Sequence, residues 1–147
     1  MLQELEAELL LFEVVGEARA HLHGHVRRVE AVRVGTGGHT QYAGTRPGFT
    51  RGEHFHFRKV ERFVVISGEA EIAIRQICGS EIVRFRVSGD TPVYVDMPTI
   101  HTHNLTNTGS GDMIAMFWTH ELYDPAAPDT YRVPVEFEVE AGKAVAR

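Results

Sequence analysis

The feature that most constrains the fold of this chain is a series of short strand-like segments separated by turns that contain glycine or proline. Apolar and polar residues alternate over residues 70–75, 83–87 and 93–97, and continuous apolar runs occupy residues 63–66 and 114–118. Alternation places the apolar side chains on one face of a strand, whereas a continuous apolar run is typical of a strand that is buried on both faces. Short strands at steady spacing predict an all-β sandwich or barrel.

The length of the chain predicts one domain. Its 147 residues, of which 43% are hydrophobic and 24% charged, can bury a core of their own. We expect residues 1–147 to form a single domain, with an N-terminal extension over residues 1–20 and the core over residues 25–135. We expect residues 141–147 to be a frayed tail.

The N-terminal extension allows two interpretations. Leucine and phenylalanine recur at roughly helical spacing over residues 2–12, with glutamates between them, which predicts a short amphipathic helix. The apolar run over residues 9–15 instead indicates a strand, which a neighbouring subunit could accept as a swapped strand. Because proteins usually cover open sheet edges and two-fold dimers are the commonest assembly, we expect a homodimer.

Charge, hydropathy and cysteine content exclude several classes of protein. A net charge of −5 argues against a nucleic-acid partner, since phosphate binding favours a basic surface. No run of 18 apolar residues predicts a membrane span, and the acidic start lacks the pattern of a signal peptide, so we expect a cytoplasmic protein. Cys78 is the single cysteine, which excludes an intramolecular disulfide and a cysteine-rich zinc site. We expect it to be a small buried apolar residue.

Histidines and one glutamate form a candidate metal site. His54 and His56 are two residues apart, so on a strand both imidazoles project from the same face. Glu61 follows just before an apolar strand, and His103 comes after the next pair of strands. Three neutral imidazoles and one carboxylate suit a divalent transition ion such as Zn, Fe, Mn, Ni or Co, and the donor set alone does not choose among these metals.

The spacing around these ligands resembles the two cupin motifs. Gly48, His54, His56, Glu61 and Gly68 are separated by five, one, four and six residues, as in the first motif. The second motif is matched by Gly89, Pro98, His103 and Asn107, while Ile100 stands where the family has glycine. The resemblance implies an all-β double-stranded β-helix of the cupin or jelly-roll type. Gly68 and Gly89 would permit positive φ in its turns, and Pro98 would end a strand.

A narrower resemblance rests on longer segments. Residues 50–56, 59–65 and 87–90 and the tail segment 124–131 are similar to the C-terminal cupin domain of bifunctional enzymes that act on nucleotide sugars in capsular-polysaccharide synthesis. That resemblance implies a zinc-dependent epimerisation beside the ketone of a UDP-linked 4-keto sugar. Those enzymes carry an N-terminal reductase domain, and no glycine-rich phosphate loop or Rossmann unit is found in these residues. Any reductase is therefore expected to be a separate protein.

Several residues outside the ligand set are candidates for chemistry. Lys59 is a candidate acid or base, or a solvated lysine; Arg51 either contacts a diphosphate or lies on the surface. His101 either faces the pocket as a catalytic residue or stabilises a turn. Tyr42 and Trp118 are predicted to be packing residues. The run of alternate histidines at positions 21, 23 and 25 is predicted to be a solvated or edge segment.

The sequence leaves three functions open. The first is a metal-dependent nucleotide-sugar epimerase or isomerase in polysaccharide or glycoside biosynthesis. The second is an Fe(II) dioxygenase, which would keep open coordination positions for oxygen. The third is a non-catalytic sugar-binding or assembly module, because a fold does not by itself establish a function.

Overall fold

The structure, a computed structural model, describes residues 14–18, 26–29, 38–140 and 143–146. These residues form strands and contain no helix. No helix in this part of the chain is therefore long and apolar enough to cross a membrane. In chain order the strands are β1 (Val14–Ala18), β2 (Val26–Val29), β3 (His39–Thr45), β4 (Thr50–Phe55), β5 (Glu61–Ser67), β6 (Glu69–Gln76), β7 (Ile82–Ser88), β8 (Val93–Met97), β9 (His101–Asn107), β10 (Met113–Thr119), β11 (Tyr131–Arg132), β12 (Phe137–Glu140) and β13 (Lys143–Ala146).

Two antiparallel sheets face each other across the core. The first has the order β1-β2-β8-β5-β10-β3, and the second has the order β11-β4-β9-β6-β7. Both sheets contribute to one apolar cluster, which includes Phe63 and Val65 from the first and Ile72, Ile74 and Leu105 from the second. The predicted all-β class is confirmed, and the predicted alternation is seen in β6, where Ala70, Ile72 and Ile74 face this shared core.

The C-terminal part of the chain covers the outer face of the second sheet. Ala73 and Arg75 are buried there, although the alternation in β6 predicts a half-buried strand. The Arg75 guanidinium donates hydrogen bonds to the carbonyls of Pro134 and Val135, at 2.9 and 2.7 Å. We call residues 124–136 the strap, because this segment lies across β4, β6 and β9. Its contacts explain why both faces of β6 are buried.

Four expectations about individual residues are wrong. Cys78 is exposed because it lies in the turn between β6 and β7. Tyr42, expected to pack, is 66% exposed on the outer face of β3. Strand β10 is not buried on both faces, since Ile114 is 42% exposed. Gly89 does not have positive φ; a Cβ there would instead lie 2.6 Å from the backbone of Ser67.

Other expectations have mixed outcomes. Gly68 has a φ of 84°, and β8 ends directly before Pro98, as predicted. Ile100 adopts a φ of 61°, so the turn keeps a left-handed conformation without the family's glycine. The tail does not wholly fray, because β13 pairs with β12.

The N-terminal expectations lie largely outside the described residues, as do the histidines at 21, 23 and 25. Of the apolar run over residues 9–15, Val14 and Val15 belong to β1, which pairs with β2 of the same chain.

Candidate metal centre

A β-bulge in β4 determines which side chains reach the space between the sheets. Gly52 pairs with Asn104 and His54 pairs with His103, so Glu53 is an extra residue between the two pairs. Gly52 and Glu53 have φ values of 98° and 57°. Residues three apart on a regular strand face opposite ways, but the bulge turns Arg51 and His54 to the same face.

The strained bulge is held by contacts of Glu53 with the second sheet and the strap. Its carboxylate accepts a hydrogen bond from the side-chain amide of Asn104 at 2.7 Å and one from the backbone of Val135 at 2.6 Å. Its carbonyl accepts another from the backbone of Val133 at 3.1 Å. A non-glycine residue with positive φ persists only where its surroundings fix it, and these three bonds do so.

The four predicted metal ligands lie together. His54 and His56 come from β4 and its end, His103 from β9, and Glu61 from the facing sheet. Their donor atoms all lie within 4.8 Å of one another. Glu61 Oε2 is 3.9 Å from Nε2 of His54, 3.2 Å from Nε2 of His56 and 3.0 Å from Nε2 of His103. Neighbouring ligand atoms of a tetrahedral zinc site lie about 3.4 Å apart, so this donor set fits such an ion.

Two of the imidazoles are oriented by backbone carbonyls. His103 Nδ1 donates to the carbonyl of His101 at 3.1 Å, and His56 Nδ1 donates to the carbonyl of Asp129. A carbonyl only accepts, so each Nδ1 carries a proton, and Nε2 is the nitrogen of each ring that faces the site. His56 Nε2 is buried and makes no hydrogen bond in the described structure. A buried nitrogen without a hydrogen-bond donor is the arrangement that metal coordination would satisfy.

The electrostatics favour the protonation states that bind a cation. Burial raises the pKa of the Glu61 carboxyl, but its contacts with His103, His54 and His56 outweigh this and hold the pKa far below its ordinary range. Burial lowers the pKa of His103, although the neighbouring Glu61 opposes the shift. An ionised carboxylate and a neutral imidazole are the forms that ligate a divalent ion.

A cavity of about 240 Å³ opens onto three of the ligands, His54, His56 and Glu61. It has a mixed polar and aromatic lining that includes His39, Gln41, Arg51, Lys59, Phe63, Phe117, Thr119, Glu121, Tyr123 and Thr130. A second cavity of about 580 Å³ adjoins it and shares Lys59, Glu121 and Tyr123. The cavity at the ligands therefore shares part of its wall with a larger surface cavity, and a concave site with a few polar groups is typical of small-molecule binding.

The other predicted residues have different placements. Lys59 is 7% exposed and lines both cavities, and its ammonium makes no hydrogen bond or ion pair within the described residues. The Arg51 guanidinium lies 5.4 Å from the centre of the Phe117 ring. His101 is buried with its Nδ1 2.8 Å from the carbonyl of Thr99, and it is not among the residues that line either cavity. Trp118 is half-buried.

The sequence did not reveal three polar residues that support the site: Glu53, Asn104 and Asp129. Glu53 and Asn104 are neighbours of the ligands in sequence, but only the bulge shows their role. Asp129 lies within the tail segment 124–131, on which the family resemblance rests. That resemblance was the one sequence signal that could have pointed to Asp129.

Comparison with known proteins gives three results. A reductase from Pseudomonas aeruginosa, UDP-2-acetamido-2,6-beta-L-arabino-hexul-4-ose reductase, is 35% identical over 107 residues, which are 73% of this chain and 29% of the relative. The capsular polysaccharide assembling protein CapF from Staphylococcus aureus superposes with a TM-score of 0.66 and 34% identity, covering 85% of this chain and 34% of CapF. This chain thus spans about a third of each relative's length.

The third result concerns the fold. NovW, a 4-keto-6-deoxy sugar epimerase of Streptomyces spheroides, superposes with a TM-score of 0.65 at 10% identity, covering 78% of this chain and 71% of NovW. The predicted cupin-type jelly roll is confirmed by these superpositions. Residues 23–131, most of the chain, match the family described as the polysaccharide biosynthesis C-terminal domain. This chain therefore belongs to the polysaccharide biosynthesis C-terminal domain family, as the resemblance to capsular-polysaccharide enzymes had indicated.

Proposed function

We propose that this protein is a metal-dependent epimerase or isomerase that acts on a nucleotide-linked 4-keto sugar. The observation that carries the proposal is a donor group of three histidines and one glutamate beside a cavity that Lys59 and Arg51 also line. The name of the Pseudomonas relative, a reductase of a UDP-linked hexul-4-ose, supports the choice of substrate class.

The ligand set would hold one divalent ion, with zinc as the first choice. His54, His56, His103 and Glu61 would bind it, and three neutral imidazoles with one carboxylate leave a net positive site. When bound, the ion would supply Lewis-acid polarisation of the sugar ketone. Fe, Mn and Ni suit the same donors and are alternatives.

The volumes of the two cavities fit a substrate whose sugar lies in one cavity and whose nucleotide lies in the other. The first cavity has the volume of about eight water molecules, enough for one sugar ring. The nucleotide would occupy the larger second cavity. Arg51 is a cation within the first cavity, and a diphosphate at its mouth would pair with the Arg51 guanidinium.

Lys59 is the proposed acid and base. Its amine would take the proton from the carbon next to the ketone, and the electron pair of the broken C–H bond would move into the carbonyl. A proton delivered from solvent water to the opposite face of that carbon completes the epimerisation, and the Lys59 ammonium returns the abstracted proton to solvent, so no nicotinamide is consumed. A role of His101 in proton transfer stays a prediction.

Proton exchange tests this proposal. Metal-loaded protein in heavy water should incorporate deuterium at carbon 3 or carbon 5 of a UDP-linked 4-keto-6-deoxy sugar. Lys59→Met and Lys59→Arg should both lose this exchange, because neither side chain accepts a proton at neutral pH. Lys143→Met, which removes a lysine in β13, is the matched control and should retain it.

The alternatives give different results. Binding of the sugar by fully metallated protein, with no exchange over hours, would indicate a non-catalytic binding or assembly module. Consumption of oxygen would indicate a dioxygenase. Loss of exchange in Lys59→Met with retention in Lys59→Arg would assign the lysine to charge pairing with the substrate, and the base would have to be another residue.

A further inference from the structure

A buried carboxylate of the strap holds the loop that joins two of the metal ligands. Asp129 is 2% exposed. Its Oδ1 accepts a hydrogen bond from the backbone of Phe57 at 3.1 Å, and its Oδ2 accepts two, from the backbones of Arg58 at 2.7 Å and Lys59 at 2.8 Å. Three consecutive amides therefore converge on one carboxylate, which fixes the conformation of this loop.

The position of that loop matters because of what lies at its ends. His56 precedes it and Glu61 begins the next strand, so the loop sets the separation of two ligands on opposite sheets. Lys59 lies within it and lines the cavity. A change of about 1 Å in the loop would displace a ligand and the proposed base together, and active sites are sensitive to displacements of that size.

The same residue also orients one ligand directly. The backbone carbonyl of Asp129 accepts the hydrogen bond from His56 Nδ1. His103 differs, because its Nδ1 donates to the carbonyl of His101 in its own strand. Displacement of the strap would therefore remove the hydrogen bond that orients His56 but not the one that orients His103.

We propose that Asp129 is the positioning residue of the metal centre: its carboxylate fixes the loop over residues 57–59, and its carbonyl fixes the tautomer and orientation of His56. This inference rests on the metal centre of the proposed function. Asp129 also lines the second cavity, but the proposed role acts through the loop and His56.

The affinity of the substrate-free protein for metal tests the proposal. Asp129→Asn replaces an acceptor oxygen with a donor amide, so at least one of the three loop amides loses its partner. Loss of such a ligand-orienting contact lowers metal affinity by about 10- to 100-fold. Zn²⁺ affinity, measured by competition with a chromophoric chelator, should fall by this factor, and the visible spectrum of Co²⁺-loaded protein should change.

Asp124→Asn is the matched control. Asp124 is an exposed carboxylate of the strap that caps the backbone of Ala126 at 2.8 Å and does not contact the loop. Its variant should keep the wild-type Zn²⁺ affinity within about twofold. If Asp129→Asn melted at a lower temperature yet bound Zn²⁺ like the wild type while folded, Asp129 would be a purely structural residue and the proposal would be overturned.

A measurement on wild-type protein covers the case in which Asp129→Asn does not fold. Nitrogen NMR of the metal-free protein should find the proton of neutral His56 on Nδ1. A proton on Nε2 would overturn the proposal. Absence of Zn²⁺ binding by the wild type would refute the metal centre of the proposed function itself, whereas equal binding by wild type and Asp129→Asn would refute only the role of Asp129.

Discussion

Substitution of Gly52 by alanine should disrupt the site from within the backbone. Gly52 has a φ of 98°, and a Cβ built on it would lie 2.6 Å from the carbonyl oxygen of His103 and 3.0 Å from Cα of Asn104. Both atoms belong to the backbone of the paired strand β9, so no side chain can rotate away. Strands β4 and β9 would have to separate where they carry His54 and His103.

The loss of unfolding free energy in Gly52→Ala has two parts. An alanine in the left-handed region loses about 1–2 kcal/mol. Overpacking against the neighbouring backbone costs about 1–3 kcal/mol more. The sum is about 2–5 kcal/mol, and with about 2–4 °C lost per kcal/mol for a chain of this size, Tm should fall by about 4–20 °C.

Gly48→Ala is the control that isolates the steric part. Gly48 also has a positive φ, 75°, but a Cβ there would meet nothing within 4 Å. Its variant should lose about 1–2 kcal/mol, the conformational part alone. Calorimetry gives both Tm values, and chelator competition gives the Zn²⁺ affinities. Equal losses of stability in the two variants, or undiminished Zn²⁺ affinity in Gly52→Ala, would refute the argument that the bulge positions the ligands.

Three further predictions concern the metal, the assembly and pH. Purified protein should hold about one divalent transition ion per chain by elemental analysis, and His54→Ala combined with His56→Ala should remove it, since two ligands compete poorly with water. Light scattering at micromolar concentration should give a dimer mass, because β3 is an edge strand in the described sheet; a monomer mass would contradict this. Burial raises the pKa of Asp129, but the amides of Lys59, Arg58 and Phe57 lower it further, so its net pKa is lowered. Its stabilisation is therefore complete above about pH 3.9 and is lost as the pH falls through the folded-state pKa. The difference in unfolding free energy between wild type and Asp129→Asn, from urea titrations, should be constant between about pH 5 and 7 and shrink in stronger acid. A difference that did not change with pH would reject this role of the charge.

The parts of the fold that could be predicted follow from the two-residue period of a strand. His54 and His56 share a face because they are two residues apart, and β6, β7 and β8 were evident from alternation. The position of His103 on the neighbouring strand of the same sheet agreed with the family motif. Local periodicity and motif spacing were therefore sufficient to predict that these four side chains lie together.

The bulge and the strap could not be predicted in the same way. Arg51 and His54 have opposite parity, and only the extra residue Glu53 places them on one face. The strap joins β4 across more than 70 residues of sequence, as in the contact between Asp129 and Phe57. Such pairings depend on tertiary packing. The alternation in β6 predicts that Ala73 and Arg75 are exposed, because no nearby residue in the sequence indicates that the strap covers them.

The strap links folding to metal binding because it contacts each element that carries a histidine ligand. Arg132 pairs with His54 in β4, Thr102 of β9 donates its hydroxyl to the carbonyl of Val133, and Asp129 holds the loop after His56. A ligand that binds the docked arrangement more tightly than the undocked one shifts the equilibrium toward it. Binding of the ion should therefore stabilise the docked strap. A substitution that loosens the strap should weaken binding of the ion, because the same coupling free energy acts in both directions. The acidic residues Glu53 and Asp129 thus influence the centre from the outer side of the sheet, without being ligands themselves.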